Sequence, residues 1–141
     1  MRLPLPGPLT ARPVLASDAA FVARLYASTR SDVLHLPVPA AVRDAIVRHQ
    51  QQCQAEAYAA RYPGAVSLII QAAGAAVGRV IVDRQPDAWH VVDLAIAAPA
   101  RRRGHARAVL EALQRDARNG GLGVTLRVRD DNRAALALYL A

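Results

Sequence analysis

The chain has 141 residues, of which 53% are hydrophobic, and 18 basic against 11 acidic side chains give it a formal net charge of +7. This length predicts one domain that buries about two thirds of the surface of its unfolded chain, and the composition excludes an intrinsically disordered protein. The sequence holds no apolar run near the ~20 residues of a membrane span, and its proline-rich start predicts no export signal, so we expect a cytoplasmic protein.

The first half of the chain predicts one strand and two helices. The expected elements are a flexible lead over 1–9, an edge strand over 10–15, a helix over 17–29, an extended loop over 33–39 and a helix over 40–61. Pro13 is tolerated on an edge strand because one side of such a strand pairs with no neighbour. Ser17 or Asp18 is expected to cap the first helix, and Pro63-Gly64 to end the second.

The second half of the chain changes to a strand pattern and then alternates. The expected elements are strands over 66–71, 77–84 and 88–97, a helix over 104–119, a strand over 123–129 and a helix from residue 130. Short turns between the first three strands predict antiparallel hairpins. The order therefore predicts a single α+β layered domain over 1–141, in which helices flank a mixed, mostly antiparallel sheet.

The densest positive charge lies at the start of a predicted helix. Arg101, Arg102 and Arg103 directly precede Gly104 and the helical segment HARAVLEAL. Cations oppose the positive end of a helix dipole, whereas the free N–H groups of a first helical turn attract phosphate. The stretch predicts either an anion site or a solvated basic loop, and charge alone does not choose between them.

Two motifs give the chain a resemblance to a known family. Residues 101–106 fit R-x-x-G-x-A, and residues 132–139 fit N-x-x-A-x-x-L-Y. In this respect the chain resembles the GNAT superfamily of N-acetyltransferases from about Thr10 to its end. The resemblance implies that the pyrophosphate of acetyl-CoA is held by Arg101, Arg102, Arg103, Gly104, His105 and Ala106. Two departures are Arg102, where glycine is common, and Pro99, which lies one residue closer to the motif than expected.

The resemblance also assigns residues to acyl transfer. Ile96 and Ala98, at the end of the third central strand, are expected to offer backbone N–H groups to the acetyl carbonyl and the pantetheine. Tyr139 is the candidate general acid, because a phenol with a pKa of about 10 protonates a thiolate without being ionised at neutral pH; the alternative is a core aromatic. Asn132 is expected to cap the last helix and approach the cofactor.

Asp93 is the candidate base. It interrupts the apolar strand VVDLAIA, where a carboxylate is costly unless it is paired or functional. The alternative is a structural carboxylate that pairs with Arg79 on the adjacent strand. Strand alternation places Asp93 on the face of Trp89 and on the opposite face from His90, which argues against a His–Asp dyad.

The predicted function is transfer of an acetyl group from acetyl-CoA to a primary amine of a small molecule or peptide, by direct attack in a ternary complex. The alternatives are a GNAT-like protein that binds CoA without catalysis and, supported only by charge, a basic nucleic-acid-binding module. The histidines show no metal-ligand spacing, so we expect no metal. The chain stops before the family's usual final strand, which leaves a sheet edge open and predicts a homodimer.

Overall fold

The computed structural model describes residues 1–126, and within them the strands form a five-stranded sheet in the order β1-β2-β3-β4-β5. The strands are β1 (Leu9–Pro13), β2 (Val66–Ala72), β3 (Ala75–Arg84), β4 (Ala88–Ile96) and β5 (Gly123–Leu126). Neighbouring strands pair antiparallel except β4 and β5, which run parallel. The predicted mixed, mostly antiparallel sheet is therefore confirmed.

The helices are α1 (Ala19–Ser28), α2 (Ser31–Leu34), α3 (Ala40–Arg61) and α4 (His105–Asn119), and short 3-10 turns cover Ala16–Asp18 and Ala98–Ala100. The three predicted helices are confirmed to within a few residues. The extended loop expected over 33–39 is wrong at its start, because Val33 and Leu34 belong to α2 and Val33 is buried in the helix layer. No helix among residues 1–126 is long and apolar enough to cross a bilayer. The helix predicted from residue 130 lies outside the described residues.

Helices cover both faces of the sheet. On one face α4 packs its apolar stripe on the centre of the sheet, burying Val109, Leu110 and Leu113 against Val80 and Val82. On the other face α1 contacts β3, and Ile69 of β2 is fully buried. The lead expected over 1–9 contributes Leu3 and Leu9 to the core beneath α4. The sheet is therefore fixed in the middle of a three-layer arrangement.

Asp18 stabilises the entry into α1 by a different contact from the predicted one. It lies at the N-cap position of α1 but makes no side-chain capping bond to the helix. Its carboxylate instead accepts hydrogen bonds from both terminal nitrogens of Arg12, at 2.7 and 2.8 Å, and from the Leu15 N–H at 2.7 Å. The Arg12 hydrogen bonds, with help from the Leu15 N–H, lower the pKa of Asp18 to about 2. The residue joins β1 to α1.

This contact predicts an acid-sensitive share of the stability. Because the folded pKa of Asp18 lies below its unfolded value of about 3.9, its contribution is complete above pH 4 and is lost as the pH falls toward 2. We expect Asp18→Asn to lower the urea midpoint at pH 7 and to show a shallower further loss between pH 4 and 2 than the wild type. Asp87→Asn, in the exposed turn between β3 and β4, is the control. Parallel pH profiles for wild type and Asp18→Asn would contradict the assignment.

Candidate active site

The loop between β4 and α4 presents free N–H groups at the start of a long helix. Gly104 is the N-cap residue of α4, with a φ of 76°, and no side chain caps the helix. The first intrahelical bond joins the Ala108 N–H to the Gly104 carbonyl at 3.0 Å, so the N–H groups of residues 105–107 precede the hydrogen-bond ladder. A side chain at Gly104 would meet nothing within 4 Å, so the backbone there is open to a ligand. The turn is a ready site for an anion.

The three arginines of this loop differ in what they do. All three are exposed. Arg102 has a φ of 65°, in the left-handed region that costs a residue with a side chain roughly 1–2 kcal/mol. That conformation explains why glycine suits this position and why Arg102 is a departure from the motif. Arg101 donates from Nε to the carbonyl oxygen of Ile96 at 2.9 Å, while His105 and Ala106 are half-buried in the first turn of α4.

The end of β4 offers one backbone N–H away from its antiparallel neighbour. The Ala97 N–H donates to the Val77 carbonyl of β3 at 2.7 Å. Because alternate residues of a strand direct their N–H groups to opposite sides, the N–H of Ile96 points away from β3. The described pairing of β4 with β5 ends at Val91 and Leu126, so the far side of Ile96 lies beyond the last described residue of β5. Ala98 lies in the exposed 3-10 turn that follows.

A bulge in β4 overturns the predicted arrangement of faces. Ile81 of β3 pairs with Asp93, but the next residue, Val82, pairs with Val91, so Val92 is the extra residue. Because Val92 is an extra residue, the side chains before it lie on the faces opposite to those that simple alternation from Asp93 would give. The prediction that His90 and Asp93 lie on opposite faces is therefore wrong. Both lie on the face away from α4.

The same bulge moves Trp89 to the other face of the sheet. Trp89 packs against the core beneath α4, so the prediction that it shares a face with Asp93 is also wrong. Its ring lies 5.8 Å from the guanidinium carbon of Arg84. On the face of Asp93, His90 Nδ1 lies 2.8 Å from the Thr125 hydroxyl, and its ring centroid lies 5.6 Å from that of Tyr62. The sequence offered no signal for this His90 cluster.

Asp93 has the partner that the sequence raised as an alternative. Arg79 Nη2 lies 3.2 Å from Asp93 Oδ2, and the two side chains are 16% and 28% exposed. Arg79 Nε is buried and makes no hydrogen bond within the described residues. Asp93 is therefore a half-buried, ion-paired carboxylate that solvent still reaches. The pair leaves the catalytic role of Asp93 a prediction.

Distance along the strand separates the possible roles of Asp93 and His90. At about 3.3 Å per residue, Asp93 lies about 10 Å from Ile96 and His90 about 17–20 Å from it. A proton released near Ile96 would reach the Asp93 carboxylate through intervening water, whereas His90 is too distant for that step. Tyr139 and Asn132 lie outside the described residues. Among residues 1–126 no group of three His, Cys, Asp or Glu side chains is placed to hold a metal ion.

Comparisons with known proteins give a family and a fold. The model of the acetyltransferase (GNAT) family matches residues 31–141, and no curated protein matches the chain in sequence. The fold is similar to that of the PaiA N-acetyltransferase from Thermoplasma acidophilum, solved in complex with coenzyme A, with a TM-score of 0.65 and 9% identity over 94% of this chain and 86% of that one.

Two further solved structures share this fold. The ribosomal-protein-S18-alanine N-acetyltransferase from Escherichia coli has a TM-score of 0.62 and 19% identity over 94% of this chain and 74% of that one. The ribosomal-protein-alanine N-acetyltransferase from Brucella melitensis has a TM-score of 0.60 and 22% identity over 94% and 88%. At these identities the likeness shows the fold alone.

Proposed function

This chain belongs to the GNAT acetyltransferase family, and we propose that it transfers an acetyl group from acetyl-CoA to a primary amine by direct attack in a ternary complex. The observation that carries the proposal is the start of α4. There the first turn has no side-chain cap from its N-cap residue, the backbone at Gly104 is open, and three exposed arginines directly precede it in the chain. N–H groups and guanidinium groups are the donors that would hold the pyrophosphate of acetyl-CoA.

The residues of the loop fit the phosphate end of the cofactor. Residues 101–106 supply the main-chain N–H groups and the guanidinium charge that bind pyrophosphate oxygens. Arg102 and Arg103 make no side-chain hydrogen bond in the described part of the chain, so their guanidinium groups are available to a ligand. When bound, acetyl-CoA supplies an activated thioester carbonyl and a thiolate leaving group.

The end of β4 supplies the electrostatic part of the proposed reaction. The Ile96 N–H, which points away from β3, donates to the thioester carbonyl oxygen as negative charge develops there. A fixed donor of this kind needs no reorganisation when the charge forms, because its strand already holds it. Ala98, in the turn that follows, is proposed to contact the pantetheine, and Asn132 to approach the cofactor from the last helix.

Asp93 and Tyr139 are the proposed proton-transfer residues. The attacking amine must lose a proton, which passes through water to Asp93, since strand geometry puts the carboxylate about 10 Å from Ile96. Arg79 Nη2, 3.2 Å from Asp93 Oδ2, holds the carboxylate in place on this face of the sheet. Tyr139 is proposed to donate its phenolic proton to the departing thiolate.

The acceptor is proposed to be the primary amine of a small molecule or a peptide. The face of the sheet that carries Asp93, Arg79 and His90 is the proposed acceptor side, since α4 occupies the other face. The names of structurally similar proteins include both kinds of acceptor. One was solved in complex with an acetylneamine bisubstrate analogue, and two are named as ribosomal-protein-alanine N-acetyltransferases.

The test is the release of free CoA thiol from acetyl-CoA by the purified chain, with a panel of small amines and peptides that carry free N-termini. We expect release that depends on both the enzyme and one class of amine. Binding of acetyl-CoA without release above the buffer rate for any amine would contradict the catalytic proposal and favour the alternative of a non-catalytic CoA-binding protein.

A further inference from the structure

The side chain of Arg101 is hydrogen-bonded to β4, unlike those of Arg102 and Arg103. Its Nε donates to the Ile96 carbonyl at 2.9 Å across the 3-10 turn Ala98–Ala100. No side-chain hydrogen bond of Arg102 or Arg103 is formed in the described part of the chain. The loop thus contains one arginine tied to β4 and two that project into solvent.

The contact fixes the peptide group next to the Ile96 N–H, which points away from β3. The Ile96–Ala97 peptide is held on one side by the Ala97 N–H bond to Val77, at 2.7 Å, and on the other side by Arg101. A backbone rotation that changes the direction of the Ile96 N–H must also move this peptide. Both polar groups of this peptide are hydrogen-bonded, so moving it breaks at least one hydrogen bond. The bond from Arg101 is charge-assisted.

We propose that Arg101 is a positioning residue, which holds the end of β4 so that the Ile96 N–H meets the thioester carbonyl when the loop binds the pyrophosphate. The inference rests on the proposed function, because it requires the Ile96 N–H to contact the acetyl group. A guanidinium has five N–H donors in a rigid fork, so Nε can hold the strand while the terminal nitrogens face the anion. One side chain then links the phosphate end of the cofactor to its reacting end.

Substitutions of Arg101 and Arg103 therefore distinguish two effects of an arginine in this loop, which are its positive charge and its bond to β4. Loss of either guanidinium removes one positive charge from the pyrophosphate site. Only loss of the Arg101 guanidinium also frees the Ile96 carbonyl. Arg101→Lys keeps the charge but replaces the planar fork by a single ammonium on a flexible stem, so it is the variant that isolates positioning from charge.

The test combines steady-state kinetics with the backbone amide NMR signal of Ile96. For Arg101→Lys we expect an acetyl-CoA KM within about threefold of wild type and a kcat at least about tenfold lower, since small misplacements of reacting groups have effects of this size or larger. For Arg103→Gln we expect a raised KM and a kcat within about twofold of wild type. In the wild type the Ile96 amide signal should differ between the CoA and acetyl-CoA complexes, and in Arg101→Lys this difference should vanish.

The possible results bear separately on the positioning role of Arg101 and on the proposed function. A wild-type kcat and a wild-type Ile96 signal in Arg101→Lys would overturn the positioning role and leave the proposed function standing. If the wild type binds acetyl-CoA but turns over no amine, the amide signal alone decides, and an unchanged difference in Arg101→Lys overturns the role. A wild-type chain that binds no acetyl-CoA overturns the proposed function and the positioning role with it.

Discussion

Replacing Tyr139 with phenylalanine is expected to lower kcat about 10²–10⁴-fold, the usual contribution of a general acid. The substitution removes the hydroxyl that is proposed to protonate the leaving thiolate and keeps the ring, so a packing role alone predicts little change. The measurement is kcat and KM for acetyl-CoA with the amine that the wild type prefers. Because Tyr139 lies outside the described residues, this experiment tests a role assigned from the motif N-x-x-A-x-x-L-Y.

Two controls make the Tyr139 result specific. Acetyl-CoA should still raise the unfolding temperature of Tyr139→Phe, because the proposed phosphate site at the start of α4 is untouched. Tyr26→Phe removes a phenol hydroxyl from the buried contact between α1 and α3 and should keep kcat within about twofold of wild type. A Tyr139→Phe enzyme with wild-type turnover would contradict the acid role and leave the proton to water or to another group.

Replacing Gly78 with alanine is expected to destabilise the protein by about 1–3 kcal/mol and to reduce activity further than the loss of stability explains. A Cβ at Gly78 would lie 2.6 Å from the Ala95 carbonyl oxygen and 2.7 Å from Ile96 Cδ1. The isoleucine methyl can rotate away, but the Ala95 oxygen belongs to the backbone of β4. The strands must therefore separate at the residue whose N–H is proposed to contact the thioester.

Urea unfolding and kcat at a temperature where the variant stays folded together test the Gly78 prediction. Gly64→Ala is the matched control, because a Cβ there meets nothing within 4 Å and its backbone is not left-handed. That control should change stability by less than about 0.5 kcal/mol and leave activity unchanged. Equal stability and activity for Gly78→Ala and wild type would show that β3 and β4 do not approach as closely as described.

The sequence predicted the elements well because their patterns are unambiguous. The helix α3 has the predicted bounds, since an alanine- and glutamine-rich segment ends at Pro63-Gly64. The hairpins of β2, β3 and β4 follow from apolar runs separated by short turns. The helical segment after Gly104 has an apolar stripe, from which Val109, Leu110 and Leu113 pack on the sheet.

The bulge at Val92 could not be predicted from the sequence. Val91 and Val92 are both apolar, so the pattern of the strand reads the same whether or not one of them is an extra residue. The extra residue changes which side chains before it share a face with those after it, which is why His90 and Trp89 were placed on the wrong faces relative to Asp93. Only the register with β3 resolves the choice, and it is a tertiary property.

Contacts of charged side chains could be raised from the sequence where strand pairing determines them, and were missed where they cross a turn. Asp18 was expected to cap α1 because its position in the chain allows it, but Arg12 on β1 forms a stronger, bidentate contact. The pairing of Arg79 with Asp93 was raised as the alternative to a catalytic role, because adjacent strands bring the two residues side by side. The bond from Arg101 to Ile96 depends on the path of the turn between them, which periodicity does not describe.

The central claim is that the start of α4 is a cofactor site and not a general basic patch. The measurement that tests it most directly is the thermal unfolding of the purified chain with acetyl-CoA, CoA, heparin and duplex DNA. At about 100 times its dissociation constant a specific ligand adds about 2.7 kcal/mol, which shifts the midpoint by several degrees. We predict this shift with acetyl-CoA and CoA and little with the polyanions. Equal shifts with every anion, or a shift with DNA alone, would contradict the claim.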